Sequence, residues 1–525
     1  LFCKDSQPIN NQKSAYKFLM MNTKGKEIIN VIEILKNNFL PNYENNNKLK
    51  YQFLAYVVRK ILLTKLGVLE EIDRDSYTYK RVDLAGSLLL ELYRELWGKF
   101  LKNVSITIDK EHKFNFQKIG NDITKIINEN NIVNVFNYKL MDTIVKSFGS
   151  FFGTGISAKQ GIVQDLNRNS MLGTLSHLRR IVTPLPAGTK TVGPRKLHSS
   201  QWGMVCPVES PDGGNVGIIN HLTVISKVSF NVQWKLDNDN MSLKTEAEGL
   251  GELWDGDYFI IDALYDNNMI DINSVIYYNY YTDTKVFING QLIGLHKNPQ
   301  FLYKIMKLLK LNSFINIYTS ITWDINSNEF HIFTDSGRIV RPILVFQYDK
   351  NMNQTNKLLT NEMICKNWKY IIHGYMYNEY DNKTIDGITY DINEYNEVYY
   401  RNEFLSFKEK HSDYISKLQE VSAPIEYVDS MESNSIFISK SKSSIINTNT
   451  HCEIHPSLIL SHLALQIPFP EHSQYPRNVF SCQQTKQAVG LYTSSFNNRF
   501  DIASHVLQYP QKQLICSRYR EYTDT

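Results

Sequence analysis

The chain has 525 residues, of which 42% are hydrophobic and 12% aromatic. This length predicts about three to four structural units, and this composition predicts a large folded core and excludes a chain that is disordered throughout. The formal net charge is only +4, so a surface for a nucleic acid must be a local patch rather than a property of the whole chain.

The first 150 residues are predicted to be mainly helical. In YQFLAYVVRKILLTKLG (51–67) and SLLLELYRELWGKFL (87–101), apolar residues recur at spacings of three and four, which indicates two amphipathic helices. Ser87 is predicted to cap the second helix. Such apolar stripes usually indicate packing, so we expect both helices to bury them against neighbours. The charged run DRDSYTYKRVDLAG between them is predicted to be a connector.

From about residue 217 the pattern changes to that of β-strands. GIINHLTVISKVSF alternates and is rich in β-branched residues, and TKVFINGQLIG and FHIFTDSGRIVRPILVF are predicted to be hairpins. Their turns are predicted at Asn289-Gly290 and at Asp335-Ser336-Gly337. A short helix is predicted over 299–311, and residues 350–450 are predicted to form a small mixed domain with exposed loops.

A basic segment precedes these strands. Residues 153–202 contain a single acidic residue, Asp165, and seven Lys or Arg residues, which are Lys159, Arg168, Arg179, Arg180, Lys190, Arg195 and Lys196. This excess suits contact with a phosphate backbone. Gln164 and Arg168 are one helical turn apart and would share a helix face. A solvated basic helix explains the charges about as well, so charge alone leaves both interpretations open.

A second basic segment lies at 451–522. Arg477 follows Pro476, which restrains the backbone, and a guanidinium held there can engage phosphate oxygens in a bidentate manner. Lys486, Gln487 and Arg499 are the other polar candidates of this segment.

A zinc site is a weaker interpretation of the same segment. His451, Cys452 and His455 are close in sequence, but no second pair of ligands follows at a suitable spacing, so we expect a buried, hydrogen-bonding His455 instead. The six cysteines of the chain are far apart and form no CxxC pair, which disfavours a disulfide framework and fits a reducing compartment.

No sequence motif of a self-contained enzyme is found. The chain has no GxxxxGK[ST] loop, no GxSxG elbow and no HExxH pair, and no carboxylate pair is identified for a two-metal nucleotidyl transferase. No apolar run reaches the ~20 residues that a membrane span requires. We therefore predict no catalytic residue in this chain and a role in positioning charged partners.

Several blocks together carry a family resemblance. TLSHLRR, GPRKLHSSQWGMVCPVESPDGGNVGIINHL, THCEIHPSLIL, IPFPEHSQYPRN and YPQKQL resemble, in this order, blocks of the second-largest (beta-like) subunit of multisubunit DNA-directed RNA polymerase, most nearly the eukaryotic polymerase II type. KRVDLAGSLLLEL, VFINGQLIGLHKNP and FTDSGRIVRPIL are also similar to that family, so the resemblance covers nearly the whole chain.

The resemblance implies a multidomain α+β fold. Residues 1–150 correspond to the end of the helical lobe and the C-terminal part of the protrusion, and 151–225 to a mixed fork with two fork loops. The next two units, 226–345 and 346–445, correspond to β-rich external domains 1 and 2, and 446–525 to the start of a β-rich hybrid-binding domain. SFGSFFGTGISAKQG occupies the place of the first fork loop and TPLPAGTKTVGPR that of the second, which borders downstream DNA.

The resemblance also implies roles for individual residues. Arg477 matches an arginine that contacts the triphosphate of the incoming nucleotide, and Lys486 and Gln487 match positions near the nucleotide and the RNA 3′ region. The positions expected near the RNA–DNA hybrid or the DNA are Lys159, Gln164, Arg168, Arg179, Arg180, Lys190, Arg195, His198 and Asp212. Asp212 departs from the family pattern, because ESPDG stands where ETPEG is usual.

The implied activity is nucleotidyl transfer within a multisubunit complex that binds DNA and ribonucleotides. Mg²⁺ would be held mainly by the largest subunit, and the family's zinc-bearing clamp segment has no counterpart in this sequence. The partners implied are the largest and smaller polymerase subunits, the DNA template, the RNA transcript and nucleoside triphosphates, with no membrane.

The expected location is the nucleus, or a cytoplasmic viral factory or virion. We expect a partial chain, inactive alone, and its Asn/Lys/Tyr-rich composition suggests a large DNA virus or a protist. The alternatives are a stand-alone nucleic-acid-binding protein and an inactive structural fragment.

Overall fold

A computed structural model describes residue 9 and residues 11–23, 27–37, 39–40, 47–119, 166–183, 185, 189–229, 255–272, 282–348, 354–355, 368–376, 383–385, 388–390, 399–446 and 448–489. The α-helices in these ranges are α1 (Gln12–Asn22), α2 (Ile28–Asn37), α3 (Asn47–Lys65), α4 (Ala85–Ile119), α5 (Met171–Leu178), α6 (Asp255–Asp266), α7 (Pro299–Leu311), α8 (Trp368–His373), α9 (Arg401–Lys410), α10 (Tyr414–Val421), α11 (Ser430–Ser435) and α12 (Tyr475–Gln487).

The β-strands of the same ranges are short. They are β1 (Arg180–Val182), β2 (Ile219–His221), β3 (Lys227–Val228), β4 (Ile270–Asp271), β5 (Thr284–Ile288), β6 (Gln291–His296), β7 (Ser320–Asp324), β8 (Glu329–Phe333), β9 (Ile339–Val345), β10 (Gln347–Tyr348), β11 (Gln354–Thr355), β12 (Lys383–Ile385), β13 (Ile388–Tyr390), β14 (Ile425–Asp429), β15 (Ile438–Ser439) and β16 (His451–Cys452). The prediction of a mixed α+β chain is confirmed.

Two five-stranded sheets organise the middle of the chain. The first has the order β4-β6-β5-β8-β7, in which β5 and β8 are parallel and the other pairs are antiparallel. The second is centred on β9, which pairs with β14 along its length and with β3 and β16 at its two ends. A smaller antiparallel pair, β1 with β2, lies next to the basic segment.

The helix predicted over 299–311 is confirmed as α7. The Asn298 side chain accepts a hydrogen bond from the amide of Phe301 at 3.1 Å, and Pro299 stands in the first turn, where the missing amide hydrogen costs nothing. Its apolar face packs against the first sheet in a core that includes Ile305, Leu309 and Phe330. The local sequence therefore sets both the start and the buried face of α7.

Of the two predicted hairpins, the first is confirmed. β5 and β6 are joined by Asn289 and Gly290, whose φ angles of 49° and 81° are those of the tight turn that such a pair favours. The Asn289 side chain also accepts from the amide of Thr334 at 2.9 Å, which ties this turn to the end of β8.

The second predicted hairpin is wrong. β8 and β9 form as strands on either side of Gly337, which has a φ of 85°, but they belong to different sheets. Both edges of β8 are already occupied by β5 and β7. The turn instead bonds to two distant segments: Gly337 donates to the carbonyl of Ser229 at 2.7 Å and accepts from the amide of Val82 at 2.8 Å. The chain therefore crosses between sheets at this turn.

The expectation that α3 buries its apolar stripe is also wrong. Val58, Ile61 and Leu62 are 53%, 61% and 54% exposed. α3 contacts the first sheet through a different face, on which Tyr56 and Lys60 reach Glu329.

The prediction that Ser87 caps α4 is wrong. Ser87 lies inside the helix, which starts at Ala85, and its hydroxyl donates to the carbonyl of Leu84 at 2.8 Å.

Two lysines of α7 lie against two buried glutamates, one on β14 of the second sheet and one on α11. Lys307 lies 2.6 Å from Glu426 and 2.7 Å from Glu432, and Lys310 lies 3.0 Å and 2.8 Å from the same two carboxylates. Burial opposes every charge, but the paired charges outweigh it, so the pKa of Lys307 is raised and the pKa of Glu426 is lowered. Lys307 and Glu426 are therefore a buried ion pair, which ties α7 to β14.

Candidate nucleic-acid and nucleotide interface

Arg195 organises the loop that precedes it. Its Nη1 donates to the carbonyl oxygens of Gly214 and Val216 at 2.9 and 2.8 Å, and its Nη2 donates to that of Thr189 at 3.0 Å. Gly217, with a φ of 72°, lies against Arg195 so closely that a Cβ would stand 2.5 Å from the Arg195 carbonyl oxygen. The guanidinium thus fastens residues 189–195 to the turn at 213–217.

Arg179 and Arg180 are half-buried where α5 passes into β1. Nη2 of Arg179 donates to the carbonyl oxygens of Thr223 and Ser226 at 2.6 and 2.9 Å. Burial lowers the pKa of both guanidiniums, and the nearby Glu209 carboxylate opposes this shift. Both positive charges therefore lie partly below the surface. The Arg179 guanidinium is already hydrogen-bonded to backbone carbonyls of this chain.

His198 and Asp212 also have structural partners. The amide of Ser200 donates to Nδ1 of His198 at 3.1 Å, and Nε2 of the same ring donates to Asp73 at 2.8 Å. This contact joins the basic segment to the connector that precedes α4. The exposed Asp212 accepts from the amide of Gly213 at 2.8 Å and caps the short 3₁₀ helix Gly213–Asn215.

The exposed cations of the described candidate segments are few. They are Arg168, Lys190, Lys196 and Arg477. Arg168 precedes α5, so the expected helix face shared with Gln164 does not extend to it. Lys159, Gln164 and the predicted first fork loop lie outside the described residues, as does Arg499.

Arg477 and Gln487 lie near the two ends of α12. Pro476 stands in the first turn, and the guanidinium of the exposed Arg477 lies 5.4 Å from the ring centroid of Phe480. A planar cation resting on an aromatic ring keeps its outer edge available for a phosphate or a carboxylate. Gln487 is the last residue of the helix and is exposed.

Lys486 has a different environment from its neighbour. Its ammonium lies 2.8 Å from Oε1 of Glu209, and the two side chains are 9% and 2% exposed. Oε1 of Glu209 also accepts from the hydroxyl of Ser176 at 2.6 Å. His221 completes the group, because its Nδ1 lies 3.0 Å from the Glu209 carbonyl oxygen and its Nε2 lies 3.2 Å from Lys486.

The charges in this group follow from its contacts. Burial, reinforced by the Lys486 ammonium, lowers the pKa of His221 to about 4, so the ring is neutral near pH 7. The neutral ring donates from Nδ1 and accepts the Lys486 proton at Nε2. Burial raises the pKa of Glu209, but the contacts from His221, Lys486 and Ser176 outweigh it and leave the pKa lowered. Glu209 and Lys486 therefore form a buried ion pair.

Glu209 and His221 were missed as functional residues at the level of sequence. Each is an ionisable residue within an apolar run, in MVCPVES and in GIINHLT. Ionisable residues in such runs are seldom buried without a partner. That signal indicates a buried partner for each residue without identifying Lys486, which lies 265 residues beyond His221.

The three side chains considered as zinc ligands, His451, Cys452 and His455, make other hydrogen bonds. His451 is buried with Nε2 at 3.0 Å from Glu426, and the Cys452 thiol donates to the Glu453 carbonyl at 3.3 Å. His455 is exposed, contrary to expectation, and its Nδ1 accepts from the amide of Ser457 at 3.2 Å. No group of three or more His, Cys, Asp or Glu residues within the described part of the chain could hold a metal ion.

Comparison with protein families gives three matches, in chain order. Residues 164–228 match RNA polymerase Rpb2, domain 3, residues 286–347 match domain 4, and residues 463–525 match domain 6. Three stretches of the chain are therefore similar to Rpb2 domains in family order, and the resemblance predicted from the sequence blocks is confirmed.

Individual relatives agree with these domain matches. The chain is 30% identical to DNA-directed RNA polymerase II subunit RPB2 of Meyerozyma guilliermondii and to that of Encephalitozoon cuniculi, over 93% and 95% of its length. It is 29% identical to RNA polymerase subunit Rpo2 of Sulfolobus acidocaldarius over 93% of its length. The chain is thus related to Rpb2 over most of its length, and it spans 37–38% of the length of these relatives.

Proposed function

We propose that the chain acts as part of the second-largest subunit of a DNA-directed RNA polymerase and positions the RNA–DNA hybrid, the downstream DNA and the incoming nucleotide. One observation carries the proposal: three Rpb2 domains occur in family order in a chain whose relatives are RNA polymerase subunits. The complex formed with the other polymerase subunits, DNA and RNA would be the nucleotidyltransferase.

The contribution of this chain would be electrostatic positioning. Arg477, exposed beside Phe480, can bind the triphosphate of a nucleotide, and Arg168 and Lys190 can contact phosphates of the hybrid or the DNA. Holding the reacting groups in line and neutralising charge lowers the barrier to phosphoryl transfer without a general base. Arg195 and His198 would act indirectly, because their hydrogen bonds hold the loop at 189–198 in place.

The domain boundaries belong to the same proposal. Residues 1–150 would be lobe and protrusion, 151–225 the fork, 226–345 and 346–445 the two external domains, and 446–525 the start of the hybrid-binding domain. Domain 3 matches 164–228, which is close to the proposed fork, and domain 4 matches 286–347, most of which falls in the first proposed external domain.

The similarity to RNA polymerase subunits also suggests where Mg²⁺ binds and where in the cell the protein acts. Mg²⁺ supplies charge neutralisation at the reacting phosphates in such enzymes. The resemblance, and no observation on this chain, assigns the ion mainly to the largest subunit. Relatives that serve RNA polymerase II favour the nucleus, and a viral factory is the alternative. Among the described helices, none is long and apolar enough to cross a membrane.

The nucleotide role is tested by Arg477→Ala in the polymerase purified through this subunit. Loss of the guanidinium removes a charge-assisted contact to the triphosphate, so we expect the KM for a limiting nucleoside triphosphate to rise about tenfold. Lys410→Ala removes an exposed cation from α9 and is the matched control. An unchanged KM in Arg477→Ala would refute this role.

Membership of a polymerase is tested separately by purification through the same tag. We expect the largest subunit to co-purify and the complex to extend a primed RNA on a DNA template. Recovery of the chain without a largest subunit would favour an inactive structural fragment or a stand-alone protein.

A further inference from the structure

α12 is joined to the neighbouring segments by one buried polar group. Lys486 on α12 contacts Glu209 and His221, and Ser176 on α5 contacts the same Glu209 oxygen. These four residues come from four separate segments, and three of those segments lie within the domain 3 match. The group therefore connects the helix that carries Arg477 to the basic segment.

The surroundings of this group are apolar and closely packed. Cys206, Val208, Leu463 and Cys482 form a buried cluster on the same side of α12. Burial raises the pKa of the Cys206 thiol and raises that of Cys482 to about 12, so neither thiol contributes charge. Apolar contacts of this kind favour burial but are not directional.

The C-terminal end of α12 has a second contact with α5. A Cβ on Gly173 would stand 3.3 Å from the carbonyl oxygen of Lys486, so α5 approaches the backbone of α12 closely at this point. The side chain and the backbone of Lys486 thus both lie against the basic segment, whereas the adjacent Gln487 is exposed.

We infer that Glu209 and Lys486 are positioning residues, whose buried pair fixes α12 so that Arg477 and Gln487 are presented at the nucleotide site. This inference rests on the proposed function. It also changes the role of Lys486, because an ammonium that left Glu209 to bind a nucleotide would leave a buried carboxylate without its charged partner. Lys486 thus acts through α12 and not by touching the nucleotide.

Single variants of the two partners distinguish positioning from direct binding. In the assembled polymerase, Glu209→Gln and Lys486→Met each break the pair, so we expect each to raise the KM for a limiting nucleoside triphosphate by about tenfold. We expect kcat at saturating nucleotide to change by less than about twofold. A rise in KM with Lys486→Met alone would show direct binding by the ammonium and overturn the inference.

The double variant Glu209→Gln/Lys486→Met guards against loss of folding. It leaves no unpaired buried charge, so it should accumulate even where a single variant does not. Since both changes break one contact, its KM should rise about tenfold, no more than in either single variant. A double variant with the KM of the unaltered enzyme would overturn the inference. Lys486→Arg keeps a cation and should restore the KM to within about threefold of the unaltered enzyme.

A matched buried pair separates positioning from general destabilisation. Arg341 and Glu453 are also a buried ion pair, at 2.5 Å, but neither lies on α12. Arg341→Met/Glu453→Gln should leave the KM unchanged, and a rise equal to that of the Glu209/Lys486 variants would overturn the inference.

Arg477→Ala is run in parallel: if it raises the KM while the Glu209/Lys486 variants do not, the inference fails and the proposed nucleotide role stands. If Arg477→Ala has no effect, the nucleotide role itself fails.

Discussion

At the scale of single residues, the arginines of the two basic segments differ in what their guanidiniums contact. Arg195 donates three hydrogen bonds to backbone carbonyls, and one nitrogen of Arg179 donates to two backbone carbonyls. Arg477 keeps an exposed guanidinium beside an aromatic ring. Arginines that look equivalent in the sequence therefore differ in how far their guanidiniums are free to contact a ligand, and we expect Arg195 and Arg179 to act mainly by holding the surrounding backbone in place.

Arg195→Ala tests this shaping role. Removal of three charge-assisted bonds should release residues 189–195 from the turn at 213–217 and lower the free energy of unfolding by about 2 kcal/mol. In the polymerase, permanganate footprinting should then show altered strand separation at the downstream edge of the transcription bubble. Lys196→Ala changes an exposed neighbour and should leave the footprint unaltered. An unchanged footprint in Arg195→Ala would count against a role at the downstream DNA.

His221 makes stability depend on pH. Its pKa in the folded chain is about 4, below the ordinary value of 6.5, because of burial and the Lys486 charge. The unfolded chain therefore binds the extra proton first as the pH falls, and stability decreases from about pH 6.5 to about pH 4. Between pH 7.5 and pH 5, this residue should account for a loss of about 2 kcal/mol in the free energy of unfolding.

Urea unfolding of the purified chain and of His221→Gln, at both pH values, isolates this contribution. The variant cannot titrate, so its stability should fall less than that of the unaltered chain over this range. His472→Gln replaces an exposed histidine and is the control. Equal losses in His221→Gln and the unaltered chain would exclude a titrating His221.

At the scale of elements, α3 docks on the first sheet through a buried carboxylate and through the ring of Tyr56, which lies 5.1 Å from that of Phe287. Glu329 on β8 is buried, and it accepts from the Tyr56 hydroxyl at 2.8 Å and the Lys60 ammonium at 2.6 Å. His331 lies 3.3 Å away. Although burial disfavours the charge, these three groups lower the pKa of Glu329 to about 2. The apolar stripe of α3 is left exposed as a result of this docking.

Glu329→Gln should therefore loosen α3. The amide keeps the size of the side chain but loses the ion pair, so we expect about 2 kcal/mol less stability and faster amide hydrogen exchange over residues 47–65. Glu420→Gln breaks the exposed pair with Lys417, and should cost less than about 0.5 kcal/mol. Exchange in α3 that is equally slow in both variants would show that Glu329 does not hold the helix.

At the scale of the whole molecule, the charge is nearly balanced. The net charge is +4, and the exposed cations of the described candidate segments are Arg168, Lys190, Lys196 and Arg477. If the proposed function holds, a chain with this distribution adds specific contacts to a nucleic acid that other subunits bind. It lacks the strong overall excess that gives tight, unassisted binding.

A salt titration of the isolated chain on duplex DNA tests this view. With about four phosphate contacts, the logarithm of the binding constant should fall against the logarithm of salt concentration with a slope no steeper than about −4, and binding should be weak at physiological salt. Lys190→Ala should make the slope shallower by about one. Tight binding with a much steeper slope would favour a stand-alone nucleic-acid-binding protein.

The elements that the sequence alone determined are those with local causes. Asn298 and Pro299 start α7, and the apolar spacing after them continues it. Asn289 and Gly290 can adopt positive φ angles, so the turn between β5 and β6 follows from two residues. The Rpb2 blocks were likewise recognisable because they are contiguous runs.

The partners of the buried charges were decided only by the tertiary structure. The sequence placed Lys486 beside Gln487 without separating their environments, and it paired β8 with β9 although each strand belongs to another sheet. Glu209 and Lys486 are hundreds of residues apart, and a local pattern carries no information on which distant segment removes water from a side chain. That depends on how the whole chain packs, which is why the same kind of side chain contacts solvent at Arg477 and a carboxylate at Lys486.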